Sequence, residues 1–305
     1  MRAIVVSDQA AGTAGMTLTE RPEPTPAIND VVVEVRASGY VPTELDWPST
    51  WADRAGRDRT PSIPGHELAG VVTQLGYGTT GLTVGQRVFG LSDWHRDGTL
   101  AEYVAIEARN LAPLPDDVDF TAAASLPISG LTAWQGLFVH GRLHAGQTVL
   151  AHGAAGAVGA MVTQLAREAG AHVIGTGRAA DREKALDFGA HDFLDLENDL
   201  LESVGDVDLV FDVIGGDVQQ RSAALIKAGG TLVSVVGPVV ARPADGLALD
   251  FVVEADRAQL IEIVQRVGDG RLRTNIGTVT SLDNAVATMS SGRRLQGKMV
   301  ITVGE

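Results

Sequence analysis

The sequence predicts two architectures in one chain: a β-rich first part, and a parallel, doubly wound α/β sheet after it. Three observations predict this. Short β-branched runs, separated by Gly, Pro, Thr and Asp clusters, fill the chain up to Ile106. From Gln147 onward, apolar strands alternate with amphipathic helices. A glycine-rich turn stands between the first of those strands and its helix.

The whole chain sets bounds on this reading. Its 305 residues suffice for two domains at roughly 150 residues each. A formal net charge of −14 opposes binding to nucleic acid, which needs clustered Lys and Arg. It equally opposes an anionic membrane surface. Cysteine is absent, so disulfides, a thiol nucleophile and a cysteine zinc site are excluded. That absence suits a reducing compartment, and a cytoplasmic location is expected. Met1 to Val6 is short and polar-flanked, which reads as a first strand and not as a signal peptide. No apolar run reaches the ~18 residues of a membrane-spanning helix.

In the β-rich part the strand-like runs are Val31–Ala37, Glu67–Gln74, Gln86–Gly90 and Ala101–Ile106. Near residue 116 the pattern changes, and Asp119 caps a run of helix formers. Then strands at Thr148–Ala151, His172–Gly175, Asp208–Phe211 and Thr231–Val236 alternate with helices at Val158–Ala169, Arg182–Phe188 and Val218–Ile226. Such alternation builds βαβ units. A further helix follows Asp256, another spans Leu282–Met289, and Lys298–Val303 reads as a strand.

The glycine-rich turn is the most informative segment. His152-Gly153-Ala154-Ala155-Gly156-Ala157-Val158-Gly159 joins a buried strand to a helix. In that context glycines let the backbone turn tightly and approach a pyrophosphate, which then meets the free N–H groups of the helix start. Gly153, Ala155, Gly156, Val158 and Gly159 are therefore expected to bind a dinucleotide in a Rossmann domain. The spacing is Gly-x-x-Gly-x-x-Gly, and a small-residue turn serving only helix–strand packing is the competing reading. The second strand ends Gly177-Arg178 with no carboxylate for a ribose 2′-hydroxyl. A guanidinium there suits a 2′-phosphate, so NADPH is the expected cofactor. Val213, Ile214, Val236 and Gly237 follow the later strands, where ligands of such sheets sit.

Several motifs, taken together, carry a family resemblance. They are Pro64-Gly65-His66-Glu67-Leu68-Ala69-Gly70, Gly98-Thr99-Leu100-Ala101-Glu102-Tyr103-Val104, Gly130-Leu131-Thr132-Ala133-Trp134 and Gly297-Lys298-Met299-Val300. In this order they resemble the medium-chain dehydrogenases/reductases, in particular the zinc-free quinone oxidoreductases. The resemblance implies a GroES-like catalytic domain from residues 1–118 and 268–305, with the Rossmann domain, 119–267, inserted between them. It also implies a nicotinamide held between the domains, contacts from Thr132 and Lys298, and a homodimer. In the zinc enzymes of the superfamily the metal is held by a Cys, the His of Gly-His-Glu and a later Cys or acid. His66 matches that His, but the other positions fall on Val41 and near Ile128, neither of which can bind metal. No zinc is expected.

The chemistry expected is hydride transfer from NADPH to a quinone or an α,β-unsaturated carbonyl, a small-molecule substrate. Charge then grows on the acceptor oxygen, and without zinc a hydroxyl or N–H must donate to it. Tyr40 is the first candidate, with Thr43 and Thr132 behind it. Trp47, Trp51, Trp94 and His95 are candidates for lining a flat pocket. An alcohol or aldehyde dehydrogenase, and a non-catalytic NADPH-binding protein, are the alternatives.

Overall fold

A computed structural model describes residues 1–292 and 296–304. The chain divides into two compact units, Met1–Pro127 with Ala255–Glu305, and Ile128–Glu254. These limits differ from those of the sequence reading at both ends of the insertion. Helix Phe120–Ala124 packs on the strands Asp30–Tyr40 and Glu67–Leu75, and helix Arg257–Gly268 packs on strand Leu111–Pro113. Both helices therefore go with the β-rich unit. Residues 293–295 and 305 of the expected first domain lie outside the described residues.

The first unit is organised by one long strand, Asp30–Tyr40. Strand Glu67–Leu75 runs antiparallel along it, with register shifts near Val32 and Val35. Its first half pairs with Tyr103–Glu107 and its last residues pair with Lys298–Thr302. It begins as a continuous buried apolar run, Val31–Val33, and then alternates, with half-buried Glu34 and Arg36 between buried Val33, Val35 and Ala37. Strands Arg87–Leu91 and Leu111–Pro113 extend one side, and Ile276–Ser281 lies parallel to Lys298–Thr302 on the other. Ile4, Val33, Leu68, Val88, Leu100, Ile106 and Ile301 form its core.

The second unit holds a six-stranded sheet in which every pairing is parallel. In chain order its strands are Thr148–Ala151, His172–Gly177, Asp192–Asp195, Val207–Asp212, Ile226–Ser234 and Gly246–Asp250. In space they run third, second, first, fourth, fifth, sixth. That is the doubly wound dinucleotide-binding order, and its direction reverses between the first and fourth strands. Helices Ala157–Glu168, Arg182–Asp187 and Gly216–Ala223 make the crossovers. Among the described residues no helix is long and apolar enough to cross a membrane.

Candidate functional site

Ligands of open parallel sheets sit beyond the strand C-termini, at the point where strand order reverses. Here that point lies between the turn following Ala151 and the turn following Asp212. The two strands meet there, the N–H of His152 donating to the carbonyl of Phe211 at 3.0 Å. Gly153 has φ +61°, and a Cβ on it would stand 2.9 Å from Val213 Cγ2. Gly159, one turn into the helix, packs against the same loop: a Cβ there would be 2.0 Å from the Gly153 carbonyl oxygen. Gly156 is the N-cap of helix Ala157–Glu168, and no side chain caps that end. The first N–H groups of a helix have no acceptor within it and carry partial positive charge. Ala155 is buried beside them and Val158 is half-buried.

The neighbouring turns close on this loop. The Ala154 N–H donates to the Thr176 carbonyl at 3.0 Å, bringing in the end of the second strand with Gly177 and Arg178. A Cβ on Gly215 would stand 2.8 Å from Val236 Cγ1, and one on Gly237 would stand 2.7 Å from Asp250 Oδ2. Ile214 and Val236 present exposed apolar side chains there. The structure thus gathers Gly153, Ala155, Gly156, Val158, Gly159, Gly177, Arg178, Val213, Ile214, Val236 and Gly237 along one edge of one sheet. Thr132 is buried in helix Pro127–Trp134 of the same unit. Lys298 belongs to the other unit.

A buried carboxylate that sequence reasoning missed sets these turns. Asp212 Oδ1 accepts from the N–H groups of Ile214 and Gly215, both at 2.9 Å. Its Oδ2 accepts from Gln219 Nε2 and Ser234 Oγ, both at 2.8 Å. Burial would raise its pKa, but the four donors prevail and hold it below the usual range. The Asp-x-x-Gly run after an apolar strand was the available signal, since Asp side chains bond backbone N–H groups two residues on.

Arg178 is more than half exposed, with Nε 3.4 Å from Glu197 Oε1. Its own N–H donates to Asp181 Oδ2 at 3.3 Å. The guanidinium is therefore reachable, but it shares its surroundings with carboxylates that lie further along the sequence.

In the first unit Tyr40 is buried, and its hydroxyl has no hydrogen-bond partner among the described residues. Burial, with the charges of Glu44 and Asp46 behind it, raises the phenol above its ordinary range and keeps it protonated. Thr43 is exposed on the short 3-10 turn Pro42–Asp46. Glu44 on the same turn is fully buried and accepts from the N–H groups of Val41 (2.9 Å) and Gly65 (2.7 Å). Burial pushes it up to about 7, against the pull of those donors and of Lys298. The Lys298 ammonium is buried in an ion pair with Glu67. Its contact in the structure is thus a carboxylate of its own unit.

His66 is buried, with Nδ1 3.3 Å from Ser92 Oγ. Its ring stacks near Trp47 at 5.9 Å and tilts against Trp94 at 4.7 Å. Burial, aided by the Arg59 charge, pushes it down to about 3. The remaining aromatics serve the loops: Trp51 Nε1 donates to the Leu45 carbonyl at 2.8 Å, and His95 Nδ1 lies 3.9 Å from Asp93. Among the described residues no group of three or more His, Cys, Asp or Glu side chains is placed to hold a metal.

Comparison with known proteins agrees with this architecture. Residues 27–116 match the alcohol dehydrogenase GroES-like domain, and residues 157–265 match the zinc-binding dehydrogenase family. The chain is 29% identical to a quinone oxidoreductase of Rattus norvegicus, covering 91% of this chain and 90% of that one. It is 35% identical, over 59% of its length and 48% of the other's, to an NADPH-dependent alkenal/one oxidoreductase of Arabidopsis thaliana. The quinone oxidoreductase structure from Coxiella burnetii superposes with a TM-score of 0.90 at 25% identity, covering 100% of this chain and 99% of that one. These dehydrogenase and reductase relatives imply a nicotinamide cofactor, and the chain belongs to the medium-chain dehydrogenase/reductase superfamily, in its quinone oxidoreductase-like branch.

Proposed function

We propose that the protein is an NADPH-dependent reductase that delivers hydride to a quinone or an α,β-unsaturated carbonyl without zinc. The observation that carries this is the cradle at the reversal point of the parallel sheet. There a Cβ at Gly153 or Gly159 would strike Val213 or the Gly153 backbone, so the turn packs closely against a helix start whose N-cap, Gly156, brings no capping side chain. A dinucleotide pyrophosphate fits that arrangement, and the nicotinamide supplies the hydride when bound. Gly153, Ala155, Gly156, Val158, Gly159, Val213, Ile214, Val236 and Gly237 would hold it.

Support for NADPH comes from Arg178. Its exposed pair with Glu197 is worth at most about 1 kcal/mol, so the guanidinium is free to exchange it for a 2′-phosphate at little cost. Support for a zinc-free reaction comes from the donor set. His66 is enclosed by Trp47 and Trp94, Glu67 is paired with Lys298, and Val41 and Ile128 carry no ligand atom. Charge on the acceptor oxygen then calls for a hydroxyl donor. Tyr40, buried, protonated and without a partner among the described residues, is the one proposed, with Thr43 as the alternative on the adjoining turn.

The test is consumption of NADPH and of NADH over a panel of quinones, enones, aldehydes and alcohols, with and without a chelator. NADPH-driven reduction of quinones or enones that survives chelation is the expected result. Zinc-dependent alcohol oxidation would move the protein to the alcohol dehydrogenases. Tight NADPH binding without turnover over the whole panel would make it a binding protein.

A further inference from the structure

The glycine loop begins with a histidine that no part of the reading so far uses. His152 is fully buried, and both ring nitrogens are engaged. Nδ1 lies 2.8 Å from Thr176 Oγ1, and Nε2 lies 2.7 Å from Ser222 Oγ. Ser222 Oγ also donates to the Val218 carbonyl at 2.7 Å. A carbonyl can only accept, and a hydroxyl has one proton. Ser222 therefore gives its proton to Val218 and accepts one from Nε2–H. Nδ1 is then the acceptor, and the Thr176 hydroxyl donates to it. The ring is neutral and held in one tautomer, in keeping with burial that pushes it down to about 4 against the opposing charge of Asp212.

The three residues come from three elements: the loop itself, the end of strand His172–Gly177 and helix Gly216–Ala223. Two backbone bonds run beside them, from Ala154 N–H to the Thr176 carbonyl and from His152 N–H to the Phe211 carbonyl, both 3.0 Å. A ring with no exposed surface cannot touch a dinucleotide. Its bonds instead tie the start of the loop to the second strand on one side and to the crossover helix on the other.

We propose that His152 is a positioning residue for dinucleotide binding: through Thr176 and Ser222 it sets where the Gly153–Gly156 turn, and hence the helix start behind it, stands. This rests on reading the glycine loop as the cofactor loop. A ring that merely filled core space would affect stability and leave affinity alone, so the two roles separate experimentally.

The experiment compares NADPH titration, thermal unfolding and steady-state constants in the full chain and two variants. Thr176→Val is isosteric and removes the donor to Nδ1. His152→Phe combined with Thr176→Val keeps a ring and removes both partners of the Nδ1 bond, while the Ser222 hydroxyl keeps its bond to the Val218 carbonyl, so much of the stability lost on breaking one partner alone should return. For Thr176→Val we expect a roughly tenfold rise in the NADPH Kd, equal to about 1.4 kcal/mol, with the acceptor KM and the kcat at saturating NADPH unchanged. For the double variant we expect the melting temperature to recover while the Kd stays raised. Recovery of affinity together with stability would overturn the proposal, as would a Thr176→Val protein that melts lower yet binds NADPH normally. Should the double variant not fold, Ser222→Ala, which removes the acceptor of Nε2–H together with the Ser222 bond to the Val218 carbonyl, takes its place: a raised Kd supports the role and an unchanged one overturns it. Failure of the wild type to bind either nicotinamide would instead sink the functional reading itself.

Discussion

Gly159 separates packing from cofactor binding. Replacing it by Ala would place a Cβ 2.0 Å from the Gly153 carbonyl oxygen, 2.6 Å from its carbon and 3.0 Å from Ala154 Cα. Carbon and carbonyl oxygen normally stand about 3.3 Å apart at closest, so loop and helix must part by roughly 1 Å. All the colliding atoms are backbone, so no side chain can swing away. Overpacking of this kind costs about 1–3 kcal/mol, and Ala returns at most about 1 kcal/mol in helix propensity. The expected loss of stability is therefore at most a few kcal/mol, roughly 0–2 kcal/mol if Ala returns its full propensity by the same figures. The larger effect falls on affinity, because an ångström of misplacement can cost on the order of a hundredfold. Gly156→Ala is the stability control: its Cβ would meet the Gly153 oxygen at 3.1 Å, and with φ −77° its melting temperature should stay close to wild type. Thermal unfolding of both variants and NADPH titration of Gly159→Ala are the assays. Wild-type affinity in Gly159→Ala, or equal destabilisation by the two substitutions, would refute the reasoning.

Acid should unfold the protein from near neutrality downward. Burial holds His66 and His152 neutral, at about 3 and about 4, well below the ordinary imidazole value of 6.5. A histidine with a depressed folded pKa contributes stability above 6.5 that is lost as pH falls towards its folded pKa, at most about 1.4 kcal/mol per pH unit for each. Glu44 acts in reverse: raised from 4.5 to about 7, its contribution is present below 4.5 and lost as pH rises to about 7. Two groups outweigh one, so melts recorded between pH 7 and about pH 5 should fall in temperature, and a flat or rising series would contradict the burial argument. Lys298→Met should destabilise by about 3–5 kcal/mol because it takes the ammonium from its buried ion pair with the Glu67 carboxylate. Adding Glu67→Gln should recover much of that loss in denaturant titration, and additive effects would argue against the pair. Arg178→Ala should leave the stability within about 0.5 kcal/mol of wild type while reducing the preference for NADPH over NADH about tenfold or more in fluorescence titration. An unchanged preference would remove Arg178 from the 2′-phosphate site.

The parts of the fold legible in the sequence are those whose chemistry is local. Leu282–Met289 stands at the residues its pattern marks, and Asp119 and Asp256 cap the helices they precede. The inner strands of the parallel sheet show as apolar runs because both faces are covered. Strands Gly246–Asp250 and Ile276–Ser281 escaped because they lie at sheet edges, largely exposed, with polar or glycine residues where an inner strand has valine. Strand Asp192–Asp195 is bounded by the aspartates that disguise it. The glycine loop was legible because absence of a Cβ is written in the residue type. The bonds from His152 to Ser222 and from Lys298 to Glu67 were not, since each joins residues that only the finished fold makes neighbours. Glu197 beside Arg178 is a third case.

The central claim is that this fold passes hydride from NADPH to an acceptor, and isotope transfer tests it most directly. NADPH carrying deuterium on the transferable nicotinamide carbon would be incubated with the protein and an α,β-unsaturated ketone, and the product examined by mass spectrometry and NMR. Deuterium bonded to the β-carbon of the product is the predicted result. Turnover without deuterium in the product, or no turnover with any enone or quinone although NADPH binds, would contradict the account.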